Sequence, residues 1–539
     1  MRNSMIKSFA LLLIIFAMAA CHKRLDKFPP NTLTSEQAYK DELGYKRVLA
    51  RVYGSMVLTS QNAPATGGFG NGDVKGVDEG FSDFFRNYWH FQDMSTDMAK
   101  WKYADAGFYD IQFNKWDAGN PQVEALYGRC MLVITFANEF LRESTDEKLS
   151  ARGINKSVIT PMRAEVRFIR AYMYWALMDL FGNPGFVTEK DPFGTFTPPQ
   201  IQRAALFTWI ENELKEMEAD LPAPRTNEYG RVDKAAAWAL RARMNLNAAV
   251  YLDKAQPAIT DFRPYYTEAI SNSKKVIDAG YTLLPNYQWL FLADNHVNNT
   301  EAIFTLNYDG VQSQSYGGAT FIINGTGSGD RQPLVQLCGL GGWGAMRATE
   351  KIPVLFPDFT GGIDRRSLWY TDQQTLNMDD FFEYQYGFPT TKFRNRTRSG
   401  GFGNDPNRTF SDIDIPVFRL AEMYLTYAEA VKRGGSGGSD AQAVTYLNLL
   451  RRRAYGNTNG DISTYDLDFI LDERAREFYW EAHRRTDLIR YNRYSEGTYL
   501  WPWKGGLRNG TAFDPSRKIL PIPSKQLAAN PLLKQNNGY

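Results

Sequence analysis

The strongest constraint on how this chain can fold is a helical rhythm that is broken twice. Apolar residues recur at helical spacing over 34–58, 201–220, 233–251, 264–279, 416–433, 440–455 and 466–490, and such stripes need a partner surface to bury them. Local punctuation agrees. Thr34 and Gln37 form a capping box, Pro121 can open a helix running through Leu141, and Thr160–Pro161 reads as an N-cap and first-turn pair. Gly182 and Pro184 stop that last helix. Residues 60–120 and about 285–412 carry few such periods and are rich in Gly, Asn, Asp and aromatics, with strand-like segments such as "EAIFTLNY" (301–308). Loops this long inside a compact chain are usually functional or disordered, and the aromatics here give enough apolar area to pack. The expected fold is therefore mostly α. Helices paired by short turns over about 34–58, 121–280 and 413–539 suggest a tetratricopeptide-like scaffold carrying an irregular lobe with a few short strands. No repeat matches the roughly 34-residue consensus, however, and periodicity alone supports only a mostly helical chain. Residues 34–539 read as one body.

Charge excludes some functions. The chain holds 62 basic and 60 acidic residues, and without Arg2 and Lys7 the balance is even. Such a chain has no general attraction to nucleic acid. The four histidines are dispersed, and Cys130 and Cys338 make neither a disulfide framework nor a zinc pattern. Scattered Asp residues leave room for a structural calcium, although no EF-hand loop is present.

The first twenty residues read as a leader. Arg2 and Lys7 precede an apolar run from Phe9 to Ala20, which is shorter than the roughly 20 residues needed to span a bilayer. Cys21 follows directly. The junction resembles the lipobox of bacterial lipoproteins, with Met18 where Leu is usual. That resemblance implies lipidation at Cys21, with 21–33 as a tether stiffened by Pro29 and Pro30.

Further motifs carry a family resemblance. "RAEVRFIRAYMYWALMDLFGNPGF" (163–186), "PVFRLAEMYLTYAEAVKR" (416–433), "LNLLRRRA" (447–454) and "ILDERAREFYWEAHRRTDLIRYNRY" (470–494) follow in order, and the tail is "LPIPSKQLAANPLLKQNNGY" (520–539). Together with Cys21 and "LDKFPP" they resemble the SusD/RagB family of nutrient-binding lipoproteins of the Bacteroidetes outer membrane. The resemblance implies a non-enzymatic protein on that membrane that binds an oligosaccharide, or alternatively a peptide. It also implies a partner, a SusC-type TonB-dependent transporter that receives the ligand.

The residues suggest where binding would occur. Thirteen aromatics fall between 61 and 120, and rings held in loops suit stacking against the C–H faces of sugars. "STDMAKWKYADAGFYD" (95–110) combines rings with hydrogen-bonding groups. The family resemblance implies a Ser/Thr-Asp pair here followed by ligand-facing residues, which gives Asp97, Trp101 and Tyr103, and "GGWGAM" (341–346), which resembles the family's Gly-Trp stretch, gives Trp343. Tyr308 and Tyr316 could extend the arc. The competing reading is that these rings pack the lobe's own core. Asp93, Asp97, Asp105 and Asp110 raise the thought of a glycosidase, which needs two carboxyls flanking a bond; hydrogen bonding to hydroxyls explains them more simply. Glu473, Glu477 and Glu481 share a helical face and would repel unless paired. His483 misses the Glu-x-x-His spacing of a di-iron site, so an Arg–Glu network with Arg476, Arg484 and Arg485 is expected. "GGSGG" (434–438) follows a helix rather than a strand, "GTGSGD" (325–330) lacks the lysine of a phosphate loop, and the basic loop 392–408 reads as solvated.

Overall fold

A computed structural model describes residues 34–60, 72–192, 194 and 196–539. The leader, Cys21, the tether and residues 61–71 of the expected lobe lie outside the described residues. The long helices are α1 (Glu42–Gly54), α2 (Pro121–Glu143), α3 (Lys156–Phe181), α4 (Arg203–Met217), α5 (Lys234–Leu246), α6 (Arg263–Asp278), α7 (Leu420–Lys432), α8 (Asp440–Tyr455) and α9 (Leu467–Phe478). They pack as neighbours, α2 on α3, α3 on α4, α5 on α6, α6 on α7 and α7 on α8, which is the stacking of a tetratricopeptide-like scaffold. Four short strands, β1 (Ala99–Trp101), β2 (Ala302–Leu306), β3 (Met346–Ala348) and β4 (Ile415–Arg419), make two antiparallel pairs, β1 with β3 and β2 with β4. Among the described residues no helix is long and apolar enough to cross a membrane.

The helix ends follow their side chains. The Thr34–Gln37 capping box forms as expected, Asn120 caps α2 ahead of Pro121, and Asp233 accepts two amides at the start of α5. Two expectations are corrected. α3 starts at Lys156, because Asn155 Oδ1 accepts the Ser157 amide at 3.0 Å, and Pro161 sits inside the helix. An earlier cap outcompetes the Thr160–Pro161 pair, and Pro161, inside the second turn, leaves the Ser157 carbonyl without its helical N–H donor. Residues 416–419 are strand rather than helix, because Ile415–Arg419 pairs with β2, the segment read as strand-like. The 466–490 run also breaks, with Trp480 (φ 63°) and Ala482 (φ 62°) in left-handed backbone between α9 and the helix Arg484–Arg490.

The main hydrophobic cluster runs from Tyr39 to Leu533 and joins helices to loops. A buried ionic network joins them too. Glu477 accepts from Arg366 at 3.0 Å, Arg419 at 2.6 Å and also Arg453. Glu473 pairs with Arg366, Arg451 and Arg476, while Glu481 pairs with Lys392 and Arg419. Glu301, beside β2, closes the circuit onto Arg419 and Arg453. Burial alone would raise Glu473, yet Arg366, Arg476 and Arg451 pull it down to about 2. The three glutamates are thus compensated, but Arg484 and Arg485 serve elsewhere.

Candidate functional site

The site is built where two distant segments meet. In β1 and β3, Trp101 lies opposite Met346, so the residues that follow β1 come together with those that precede β3. The 343–345 stretch is fixed by a second device. The amides of Trp343, Gly344 and Ala345 donate to the carbonyls of Asn324, Gly327 and Gly325 at 2.6, 2.5 and 2.9 Å. They thereby satisfy carbonyls that the helix Gly318–Thr326 leaves open at its C-terminus. Close approach requires glycine here: a Cβ on Gly342 would lie 2.4 Å from the Gly327 carbonyl carbon, and one on Gly325 would lie 3.0 Å from the Trp101 ring.

The result is an open cavity of about 490 Å³, within the usual size of a small-molecule site. Trp101, Tyr103, Tyr316 and Trp343 all line it, although they come from positions up to 242 residues apart. The Tyr103 hydroxyl donates to the Trp343 carbonyl at 2.6 Å, which props that ring at the mouth with 43% of the residue exposed. Trp101 differs: it is 3% exposed, stacks on Phe321 at 5.5 Å, and offers the cavity little more than an edge. Its indole N–H donates to Asp105 Oδ2 at 2.5 Å. Trp343 meets it edge-on at 6.3 Å.

Charged groups complete the wall. Arg86 projects from the helix Phe84–Trp89, which Asp83 caps by accepting the Arg86 amide at 2.7 Å. Its guanidinium lies over Phe81, Phe321 and Trp343 at 4.4, 4.6 and 5.8 Å and donates to the carbonyls of Gly80 and Tyr316. Burial pulls Arg86 down to about 10, against the nearby carboxylates of Asp78, Asp105 and Asp83. It remains a cation at neutral pH, and its Nε has no hydrogen-bond partner among the described residues. Asp78 and Asp105 also face the cavity. Flat rings, a cation and two carboxylates can hold a neutral polyhydroxylated ligand by stacking and by hydrogen bonds of both polarities.

Two of the residues singled out from sequence lie elsewhere. Asp97 is fully buried, held by Arg484 through Nε at 2.9 Å and Nη2 at 2.7 Å and by the Tyr499 hydroxyl at 2.6 Å. It ties the lobe to the C-terminal segment and does not face the cavity. Tyr308 is buried too, donating its hydroxyl to Asp83 at 3.0 Å; it supports the residue that caps the Arg86 helix. Sequence reasoning passed over Arg86, Phe81 and Asp78. An arginine inside the aromatic run "FSDFFRNYWH" (81–90) was the available signal, since a lone cation among rings needs an electronegative neighbour or a ligand. Among the described residues no three His, Cys, Asp or Glu side chains cluster so as to hold a metal ion.

A family model described as the SusD family matches residues 363–539. The chain is 32% identical to the starch-binding protein SusD of Bacteroides thetaiotaomicron, over 99% of this chain and 98% of that protein. It is 26% identical to a SusD-like protein of Formosa agariphila, over 72% of this chain and 75% of the other. Among solved structures, surface glycan-binding protein A of B. thetaiotaomicron superposes with a TM-score of 0.69 at 19% identity, covering 93% of this chain and all of the other. The same-named protein in complex with laminarihexaose gives 0.68 at 20% identity, covering 92% and 99%. The structural likeness carries the fold, and identity across the full length carries the kinship: the chain belongs to the SusD family.

Proposed function

We propose that this protein binds an oligosaccharide, without cleaving it, in the cavity between Tyr103 and Trp343. The observation that carries the reading is convergence. Four aromatics picked out in distant loops line one hollow together with Arg86, Asp78 and Asp105. The starch-binding relative favours α-linked glucans as the ligand class. Tyr103 and Trp343 offer the stacking faces, Tyr316 the far wall, and Trp101 supports both from beneath. Arg86 donates to sugar hydroxyls and the carboxylates accept from them.

The wider setting belongs to the same proposal. Cys21 carries the lipid that anchors the body to the outer membrane, and a SusC-type transporter takes up the captured ligand. Titration calorimetry with maltoheptaose, laminarihexaose and a peptide digest tests the ligand class. Binding of maltoheptaose, weakened about tenfold or more (1.4 kcal/mol) by Tyr103→Ala and by Trp343→Ala, is expected. Maltoheptaose binding that both variants leave intact, or heat from peptides alone, would overturn the proposal. New reducing ends on incubation would reassign the chain as a hydrolase.

A further inference from the structure

Next to the cavity the surface carries a second group of rings that the binding proposal does not use. Tyr109 meets Phe382 at 5.6 Å and 90° and stacks on Phe113 at 6.0 Å. Phe382 stacks on Phe381 at 4.1 Å, and Trp503 packs against Phe381 at 5.1 Å and Phe113 at 6.4 Å. Phe381 is the buried floor, while Phe382 is 45% exposed and Tyr109, Phe113 and Trp503 are half-buried. Exposed rings in one strip call for an occupant.

Buried contacts link the strip to residues beneath the cavity on two sides. Phe108 packs inward on Trp101 at 5.3 Å, and the next residue, Tyr109, opens the strip. Asp105, which holds the Trp101 indole, joins burial in raising the Tyr109 hydroxyl. On the other side, Arg347 follows the strand partner of Trp101 and donates to the carbonyls of Phe381 and Glu383 at 2.7 and 2.8 Å. Strain marks the far end. Trp503 sits at φ 67°, a region costly for any residue but glycine, and its indole donates to the Met378 carbonyl at 3.1 Å. Holding a tryptophan there fixes its ring in the strip. Polar groups reach the rim in the Asp379–Arg508 ion pair and the Tyr109 hydroxyl.

We infer that the Tyr109–Phe382–Trp503 strip is a second sugar-contacting subsite, which receives the units of an α-glucan chain that emerge from the cavity. The inference rests on the binding reading above and deepens it: the preferred ligands are longer than the cavity alone can hold. The strip presents ring faces, with the Tyr109 hydroxyl and the Asp379–Arg508 pair at its rim. Asp105, which lines the cavity, acts on Tyr109. A glycan chain leaving the cavity is the occupant this placement favours.

Calorimetry with maltotriose and maltooctaose separates the two levels. The wild-type chain is expected to bind maltooctaose about tenfold tighter than maltotriose, or 1.4 kcal/mol. Phe382→Ala and Tyr109→Ala should remove most of that gain while leaving maltotriose binding and Tm unchanged, since both side chains are at the surface. Equal affinity for the two sugars, or maltooctaose binding untouched by either variant, would overturn the subsite; the latter result would give the strip to a protein partner. If neither sugar binds the wild-type chain, the cavity reading falls first and the subsite with it.

Discussion

Replacing Asp97 with Asn tests whether this carboxylate is structural or touches the ligand. In the structure it receives a forked pair from the buried Arg484 and a third hydrogen bond from the half-buried Tyr499. Asn keeps the shape and one acceptor but leaves the Arg484 charge poorly compensated, and breaking such a buried pair from one side costs about 3–5 kcal/mol. With an unfolding entropy of about 2.1 cal/mol/K per residue, this chain melts with about 1.1 kcal/mol/K, so Tm should fall by about 3–5 °C. Burial raises the Asp97 carboxyl, but Arg484 and Tyr499 outweigh it and hold the carboxyl below its ordinary value. A depressed carboxyl contributes stability above its unfolded value and loses it as pH falls through the folded one. The gap between wild type and Asp97→Asn should therefore be constant from about pH 5 to 8 and close below about pH 4. Scanning calorimetry across that range measures it, with maltoheptaose titration in parallel. An unchanged Tm together with an affinity loss as large as that of Tyr103→Ala would refute the reasoning and return Asp97 to the ligand.

Glu477→Gln should be more damaging, because three arginines converge on that carboxylate; a loss of about 3–5 kcal/mol or more is expected in denaturant unfolding, and a variant as stable as the parent would mean that the network is dispensable. Lys100 is buried against the carbonyls of Met94, Thr96 and Gln112, and burial pulls it down to about 7 despite Asp97. Its stability contribution is complete above about pH 10.4 and is lost as pH falls through 7, so wild-type stability should rise between pH 7 and 9 more steeply than that of Lys100→Met. Parallel slopes would rule out this lysine as the source.

The sequence made most of the frame visible, because helix stripes and caps are local. Thr34–Gln37 and Pro121 could be read by position alone, and the glutamate repeat of 473, 477 and 481 required partners wherever they lay. The errors arose where a distant residue decided. Asp97 looks like a surface carboxylate until Arg484 arrives from 387 residues away. The start of β4 reads as helix until β2 pairs with it, and Tyr308 reads as a free ring until Asp83 is beside it. Trp101 and Trp343, taken from the family resemblance, do line one cavity. Arg86 was missed, because its role depends on Phe321 and Trp343 lying under its guanidinium.

The pairing of β1 with β3 has a consequence for how the hollow comes into being. Only three residues on each side form that ladder, yet it bolts segments from opposite halves of the polypeptide. A nascent chain short of residue 348 carries Tyr103 with nothing to close against it. Cutting the gene between the two strands would yield fragments that are each mute, with recognition returning only when they are mixed and reassemble.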